Sequence, residues 1–236
     1  MRYHRWVPVT TTALGEVLRR LDTAAQQARQ PVPRLLAVSK LQSAAAVAEL
    51  AGAGQRAFGE NYVQEAVAKR AELDVLGLGL EWHLIGHLQT NKAREAAAAF
   101  DWVQSVDRAR VADALARHRD PVAGPLQVLI QVNIDDEASK HGCRPDEVDA
   151  LADAVAGHAT LALRGLMVIP AAHDDPESSR PAFRRARALF DALAARHPGV
   201  DTLSMGMSGD FAVAIAEGAT MVRVGTALFG ARPARA

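Results

Sequence analysis

Lys40 ends the apolar run Leu35-Leu36-Ala37-Val38-Ser39. It is one of only four lysines, with Lys69, Lys92 and Lys140, among 27 Lys+Arg residues. A chain that places its positive charge on arginine almost everywhere keeps an amine where the amine itself is needed. A primary amine loses its proton when desolvated and adds to a carbonyl as a nucleophile, whereas a guanidinium does neither. The chemistry Lys40 offers is therefore Schiff-base formation, with a solvated lysine in a strand-end loop as the plain alternative.

Two glycine-containing segments near the C-terminus hold the next candidates. Ser204-Met205-Gly206-Met207-Ser208-Gly209 and Arg223-Val224-Gly225-Thr226 each read as a strand end opening into a helix, with a hydroxyl residue, Ser208 or Thr226, at or near the helix start. Backbone N–H groups beside such a hydroxyl make an anion site that suits a phosphate. Arg223 lies between Val222 and Val224 and so on the opposite face of its strand from both. Turned inward, its guanidinium needs either a carboxylate partner or a ligand. An amine, a phosphate cradle and an arginine suit a phosphorylated aldehyde, of which pyridoxal 5′-phosphate (PLP) is the obvious one. His83 reads as a core histidine in preference to a catalytic base, and Cys143, the one cysteine, as a packed thiol in preference to a nucleophile. No HxH, HExxH or clustered-carboxylate spacing points to a metal.

These residues are far apart in sequence, so the elements between them must bring them together. Short apolar runs at 35–39, 56–59, 82–85, 102–104, 126–132, 162–168, 202–204 and 221–224 read as strands. Segments of helical period at 44–53, 62–75, 90–98, 108–117, 145–157, 177–196 and 208–217 lie between them, and another at 14–29 precedes the first strand. Eight strands joined by right-handed helical crossovers close into a (β/α)8 TIM barrel, here with an extra N-terminal helix. A doubly wound open sheet is the alternative that periodicity leaves open. In a barrel the loops after the strands meet at one face, which would gather Lys40, Gly59-Glu60-Asn61, His83 to Gly86, Asn133, Ser204 to Gly209 and Arg223 to Thr226, and loops seven and eight are the usual phosphate site.

The 236 residues fit one barrel domain over 1–236, and no linker rich in Gly, Ser or Pro divides them. A formal net charge of +0, with acids and bases interspersed, argues against a nucleic-acid footprint. A single cysteine excludes an internal disulfide framework, and no segment has the apolar length of a signal peptide or membrane span, so a cytoplasmic monomer is expected. Gly77-Leu78-Gly79-Leu80 precedes a strand and lacks a third glycine, so it is not a dinucleotide fingerprint.

From about residue 34 to 230 the chain resembles the pyridoxal phosphate homeostasis protein family, the YggS-like PLP-binding proteins. The segments that carry the likeness are LLAVSK (35–40), FGENYVQEA (58–66), WHLIGHLQTNK (82–92), VQSVD (103–107), VNIDDEASKHG (132–142), GLM (165–167), LSMGMSGD (203–210) and VRVGTALFG (222–230). The resemblance implies a barrel like the N-terminal domain of alanine racemase, without a second domain. It implies a PLP aldimine on Lys40, phosphate held by Ser208, Gly225 and Thr226, the pyridine nitrogen facing Arg223, and Asn61 and Met207 lining the pocket. Lys140 matches a family lysine that the resemblance connects with cofactor passage, and PLP-dependent apoenzymes are the implied recipients. The chain departs from the family pattern in SKLQSAA after the lysine and in His87, where proline is frequent.

An arginine opposite the pyridine nitrogen keeps that nitrogen unprotonated and weakens the ring as an electron sink. Racemisation also needs an acid/base on the second face of the substrate, which racemases take from a separate β-domain for which this sequence supplies no residues. The expectation is a carrier or regulator of PLP. An amino-acid racemase and a Schiff-base aldolase stand as alternatives.

Overall fold

The computed structural model describes residues 11–135 and 141–230. Its strands are β1 (Arg34–Val38), β2 (Ala57–Glu60), β3 (Glu81–Leu84), β4 (Trp102–Val106), β5 (Leu126–Val132), β6 (Leu161–Val168), β7 (Thr202–Met207) and β8 (Met221–Val224). All are parallel and neighbour one another in chain order, and β8 pairs back onto β1, with Leu36 opposite Arg223. The barrel is closed, so the open-sheet alternative falls away.

The helices are α1 (Thr11–Ala28), α2 (Ala44–Gly52), α3 (Val63–Leu73), α4 (Ala93–Ala99), α5 (Ala109–His118), α6 (Val148–Ala156), α7 (Arg180–Arg196), α8 (Phe211–Ala216) and α9 (Thr226–Phe229). Several predicted helices begin one turn late because their first residues form 3-10 turns, as at Thr90–Lys92, Pro145–Glu147 and Pro176–Ser179. Helix α8 is shorter than 208–217, since the chain first closes a turn in which the Met207 N–H donates to Asp210 Oδ1 at 2.6 Å and the Asp210 N–H donates to the Met207 carbonyl at 3.1 Å. Among the described residues no helix is long and apolar enough to cross a membrane.

Period-two alternation divides each strand between two cores. Leu35, Ala37, Phe58, Trp82, Leu84, Val222 and Val224 join the large apolar layer under the helices. Leu36, Ala57 and Met221 form one inner cluster, and Trp102, Leu129 and Met167 form another. Lys40 therefore continues the inward series Leu36, Val38, Lys40 at the carboxyl end of the barrel. Strand β7 runs on to Met207 through an irregularity in its pairing with β8, where Gly206 adopts φ +89° and a Cβ would lie 2.5 Å from that of Ala214 on α8.

Candidate functional site

At the carboxyl ends of the strands a cavity of about 290 Å³ opens. Ligand pockets run from about 300 to 1,000 Å³, so this one takes a small guest. Its lining includes every pocket residue expected from the sequence: Lys40, Asn61, Met207, Ser208, Arg223, Gly225 and Thr226. Val38, Gln42, Ile85, Ile169, Gly209 and Gly230 complete it. Lys140 lies outside the described residues.

Lys40 is held from both sides by a buried ionic cluster. The Ser39 hydroxyl donates to Glu60 Oε1 at 2.5 Å, and the Lys69 amine donates to the Ser39 carbonyl at 2.6 Å, to Glu60 Oε1 at 2.7 Å and to Glu65 Oε1 at 2.7 Å. Glu65 also accepts from the backbone N–H of Leu41, a residue with φ +63°. One residue before Lys40 and one after it are thus pinned to the same carboxylate–ammonium group. Glu60 and Lys69 are buried, and burial pushes the Glu60 carboxyl above its ordinary value against the pull of Lys69 and Ser39. Sequence reasoning gave Lys69 no role. The signal it left was a lysine retained in an arginine-rich chain, four residues after Glu65 on α3.

Opposite this lysine, Arg223 reaches the cavity from inside the barrel. The sequence reading offered a carboxylate partner for it, and among the described residues no salt bridge forms. Its Nη1 instead donates to the Ser204 carbonyl at 2.9 Å and hydroxyl at 2.8 Å, and its Nη2 donates to the Val168 carbonyl at 2.8 Å. Neutral acceptors do not offset desolvation fully, so burial draws its pKa down to about 10, which leaves it charged at neutral pH. The other N–H groups of the guanidinium remain for whatever fills the cavity.

A buried hydrogen-bond chain backs this arginine. The Ser204 hydroxyl donates to Gln104 Oε1 at 2.7 Å, and Gln104 Nε2 donates to His83 Nδ1 at 2.9 Å. With Nδ1 accepting, the imidazole carries its proton on Nε2, which donates to Glu81, and Glu81 pairs with Arg34 at 2.8 Å. Burial lowers the His83 pKa and keeps it neutral, and its ring stacks on Trp102 at 5.1 Å. His83 does not line the cavity, so the core-histidine reading holds, with side chains and not backbone satisfying it.

Ser208 and Thr226 stand beside each other's loops at the mouth, Ser208 half-buried and Thr226 exposed. The sequence placed Ser208 at the start of its helix, but the cap residue of α8 is Asp210. Ser208 sits in the turn before it, its hydroxyl not used in capping. Thr226 is the first residue of α9, after Gly225. Gly225 packs against β1, where an added Cβ would come 3.2 Å from the Val38 carbonyl. Asn61 is held where Gly86 crosses it, since a Cβ on Gly86 would fall 2.1 Å from the Asn61 carbonyl oxygen.

Among the described residues the cavity lining contains no carboxylate, imidazole, thiol or phenol. The donor set of one amine, two hydroxyls, glycine backbone and one buried guanidinium fits a small anionic carbonyl compound. The remaining lysine, Lys92, lies on the surface 3.5 Å from Glu95. Cys143 is buried, as expected of a packed thiol.

Residues 13–233 match the family described as alanine racemase, N-terminal domain. A pyridoxal phosphate homeostasis protein of Escherichia coli K12 is 50% identical over 222 residues, 93% of this chain and 95% of the relative. One from Pseudomonas aeruginosa is 51% identical over 221 residues, 93% and 94% of the two chains. Among solved structures, PipY of Synechococcus elongatus with PLP bound superposes with a TM-score of 0.81 at 38% identity, over 93% of this chain and 99% of that one. Alanine racemase from Corynebacterium glutamicum shares the fold, with a TM-score of 0.67 at 20% identity, over 94% of this chain and 62% of the racemase.

Proposed function

Because the chain belongs to the pyridoxal phosphate homeostasis protein family, built on the barrel of the alanine racemase N-terminal domain, we propose that it binds PLP in the cavity at the barrel mouth and acts in the cytoplasm as a carrier or regulator of that cofactor. The observation that carries this reading is the meeting of Lys40, Arg223, Ser208, Gly225 and Thr226 in one cavity whose lining, among the described residues, offers no carboxylate, imidazole, thiol or phenol.

When bound, PLP supplies an aldehyde that condenses with amines and a ring that stabilises carbanions. Lys40 holds the aldehyde covalently, and the cluster of Lys69, Glu60 and Glu65 fixes the backbone that aims it. Ser208, Thr226 and the Gly225 backbone hold the phosphate, while Asn61 and Met207 border the ring. Arg223 donates toward the pyridine nitrogen. A guanidinium has no acceptor and stays charged at a pKa of about 10, so it keeps that nitrogen an unprotonated acceptor and damps the ring's capacity to hold electrons. The chain from Ser204 through Gln104 to His83 keeps the guanidinium in that orientation. With no carboxylate, imidazole, thiol or phenol in the cavity lining among the described residues, a substrate carbon would lose and regain protons slowly. Transfer by a monomer to PLP-dependent apoenzymes is the further step of this reading, with Lys140 assigned to cofactor passage.

The test joins binding to the absence of turnover. PLP added to cofactor-free protein is expected to give a yellow 1:1 complex, and exchange of the α-deuterium of alanine into water is expected to stay near the rate of free PLP. Enantiomer interconversion at about 1 s⁻¹ or faster would make the protein a racemase, and a colourless protein that refuses PLP would favour a Schiff-base aldolase.

A further inference from the structure

Away from the cavity, on the rim formed by the loops after β3, β4 and β5, three metal-ligating side chains converge. His87, Asp107 and His141 each present one ligand atom, and these atoms all lie within 4.8 Å of one another. The two imidazoles stack with centroids 3.9 Å apart and planes 14° from parallel, and His87 Nδ1 is 3.5 Å from Asp107 Oδ2. The other carboxylate oxygen, Oδ1, accepts from Arg108 Nη1 at 2.5 Å. That contact fixes the carboxylate from behind and leaves Oδ2 turned to the histidine. The backbone of His141 is anchored too, its carbonyl accepting from Gln131 Nε2 at 3.1 Å.

We propose that His87, Asp107 and His141 bind a divalent transition-metal ion of the zinc class, clipping together the loops that follow β3, β4 and β5. Two imidazoles and one carboxylate are the donor set of three-ligand zinc sites, in which the fourth position is open to water. Nitrogen and oxygen ligands sit about 2.0–2.2 Å from zinc, which separates them by about 3.3–3.6 Å in a tetrahedron. The three ligand atoms lie within 4.8 Å of one another, and both imidazoles are exposed side chains outside the packed core. No spacing in the sequence signals the site because each ligand comes from a different loop. The three residues are outside the cavity lining, so the proposal stands independently of the PLP reading.

The experiment titrates the untagged full-length protein with Zn²⁺ against a chromophoric chelator, with melting temperature recorded in parallel. One ion per chain is expected, with His87→Ala and His141→Ala each weakening uptake about tenfold or more, since even loss of a group outside the ligand shell costs 10–100-fold. Zn²⁺ should raise the melting temperature of the wild type and not of the double variant, whose fold is checked by circular dichroism. Absence of saturable uptake, or uptake unchanged in the double variant, overturns the site and leaves a plain His87–Asp107 pair beside a stacked imidazole.

Discussion

Lys69→Met removes an amine that makes no contact with the cavity and should nevertheless reach both the stability of the barrel and its hold on PLP. Lys69 is 5% exposed, and its amine donates to Ser39, Glu60 and Glu65 at 2.6–2.7 Å. Breaking a buried ion pair by deleting one partner costs about 3–5 kcal/mol, because the other charge stays buried and uncompensated. Glu65 can turn to water and Glu60 can take up a proton, which places the cost near the lower end, about 3 kcal/mol. In a chain of this size each kcal/mol lowers the melting temperature by about 2–4 °C, so the expected fall is about 6–12 °C. The sign of the pH dependence follows from Glu60. Its folded pKa, already raised above 4.5 by burial, rises further once Lys69 is gone. A raised folded pKa contributes stability that is present below the unfolded value and lost as pH rises through the folded one, so the penalty of Lys69→Met should be larger at pH 7.5 than at pH 5. Lys69→Met/Glu60→Gln should recover part of the loss by removing both charges. Thermal unfolding at the two pH values and PLP titration are the assays. A fall smaller than about 2 °C, with PLP affinity unchanged, would refute the claim that this cluster positions Lys40.

Ser208→Ala combined with Thr226→Val should weaken PLP binding at least about tenfold, since hydrogen bonds to a charged group are worth roughly 1.5–3 kcal/mol each. Pyridoxal, which lacks the phosphate, should bind wild type and double variant alike, and equal loss for both ligands would contradict the cradle. The Cys143 thiol is pushed up to about 12 by burial and by the charges of Glu147 and Asp107, so thiol reagents should label it at pH 8 only after denaturation. Rapid labelling of the native protein counts against that packing. Burial opposes the charged form of Glu81, but the contacts with His83 and Arg34 outweigh it and bring its pKa to about 2. A depressed folded pKa contributes stability above the ordinary 4.5, so Glu81→Gln should destabilise at neutral pH, with the difference from wild type fading as acid titration passes from 4.5 toward 2. A difference independent of pH would mean the carboxylate is not the stabilising form.

The fold and the pocket residues were legible because both rest on local signals. Alternating apolar runs place eight strands, and β5 and β8 have the observed bounds, 126–132 and 221–224. Arg223 between two valines declares its strand face from period two alone, and Lys40 stands out as a strand-end lysine in an arginine-rich chain. What escaped depends on partners chosen by the closed barrel. Gln104 and Ser204 occupy inward positions, yet nothing in their own segments says that they join His83 on β3 to Arg223 on β8. Lys69 looks like a surface helix residue until α3 lays it over Glu60 at the end of β2. Helix α8 starts at Phe211 and not at 208 because Asp210 closes a turn with the backbone of Met207, which leaves Ser208 in that turn. The meeting of His87, Asp107 and His141 likewise exists only once three loops share one rim.

The identity of the amine that holds the cofactor decides whether the cavity is the PLP site. Borohydride reduction of the PLP-loaded protein, followed by proteolysis and mass spectrometry, should place the reduced adduct on the peptide containing Lys40 in one equivalent, and Lys40→Ala should lose both the adduct and the yellow colour. An adduct found on Lys69, Lys92 or Lys140 in the wild type, or a Lys40→Ala protein that still traps one equivalent, would contradict the assignment of the cavity as the PLP site.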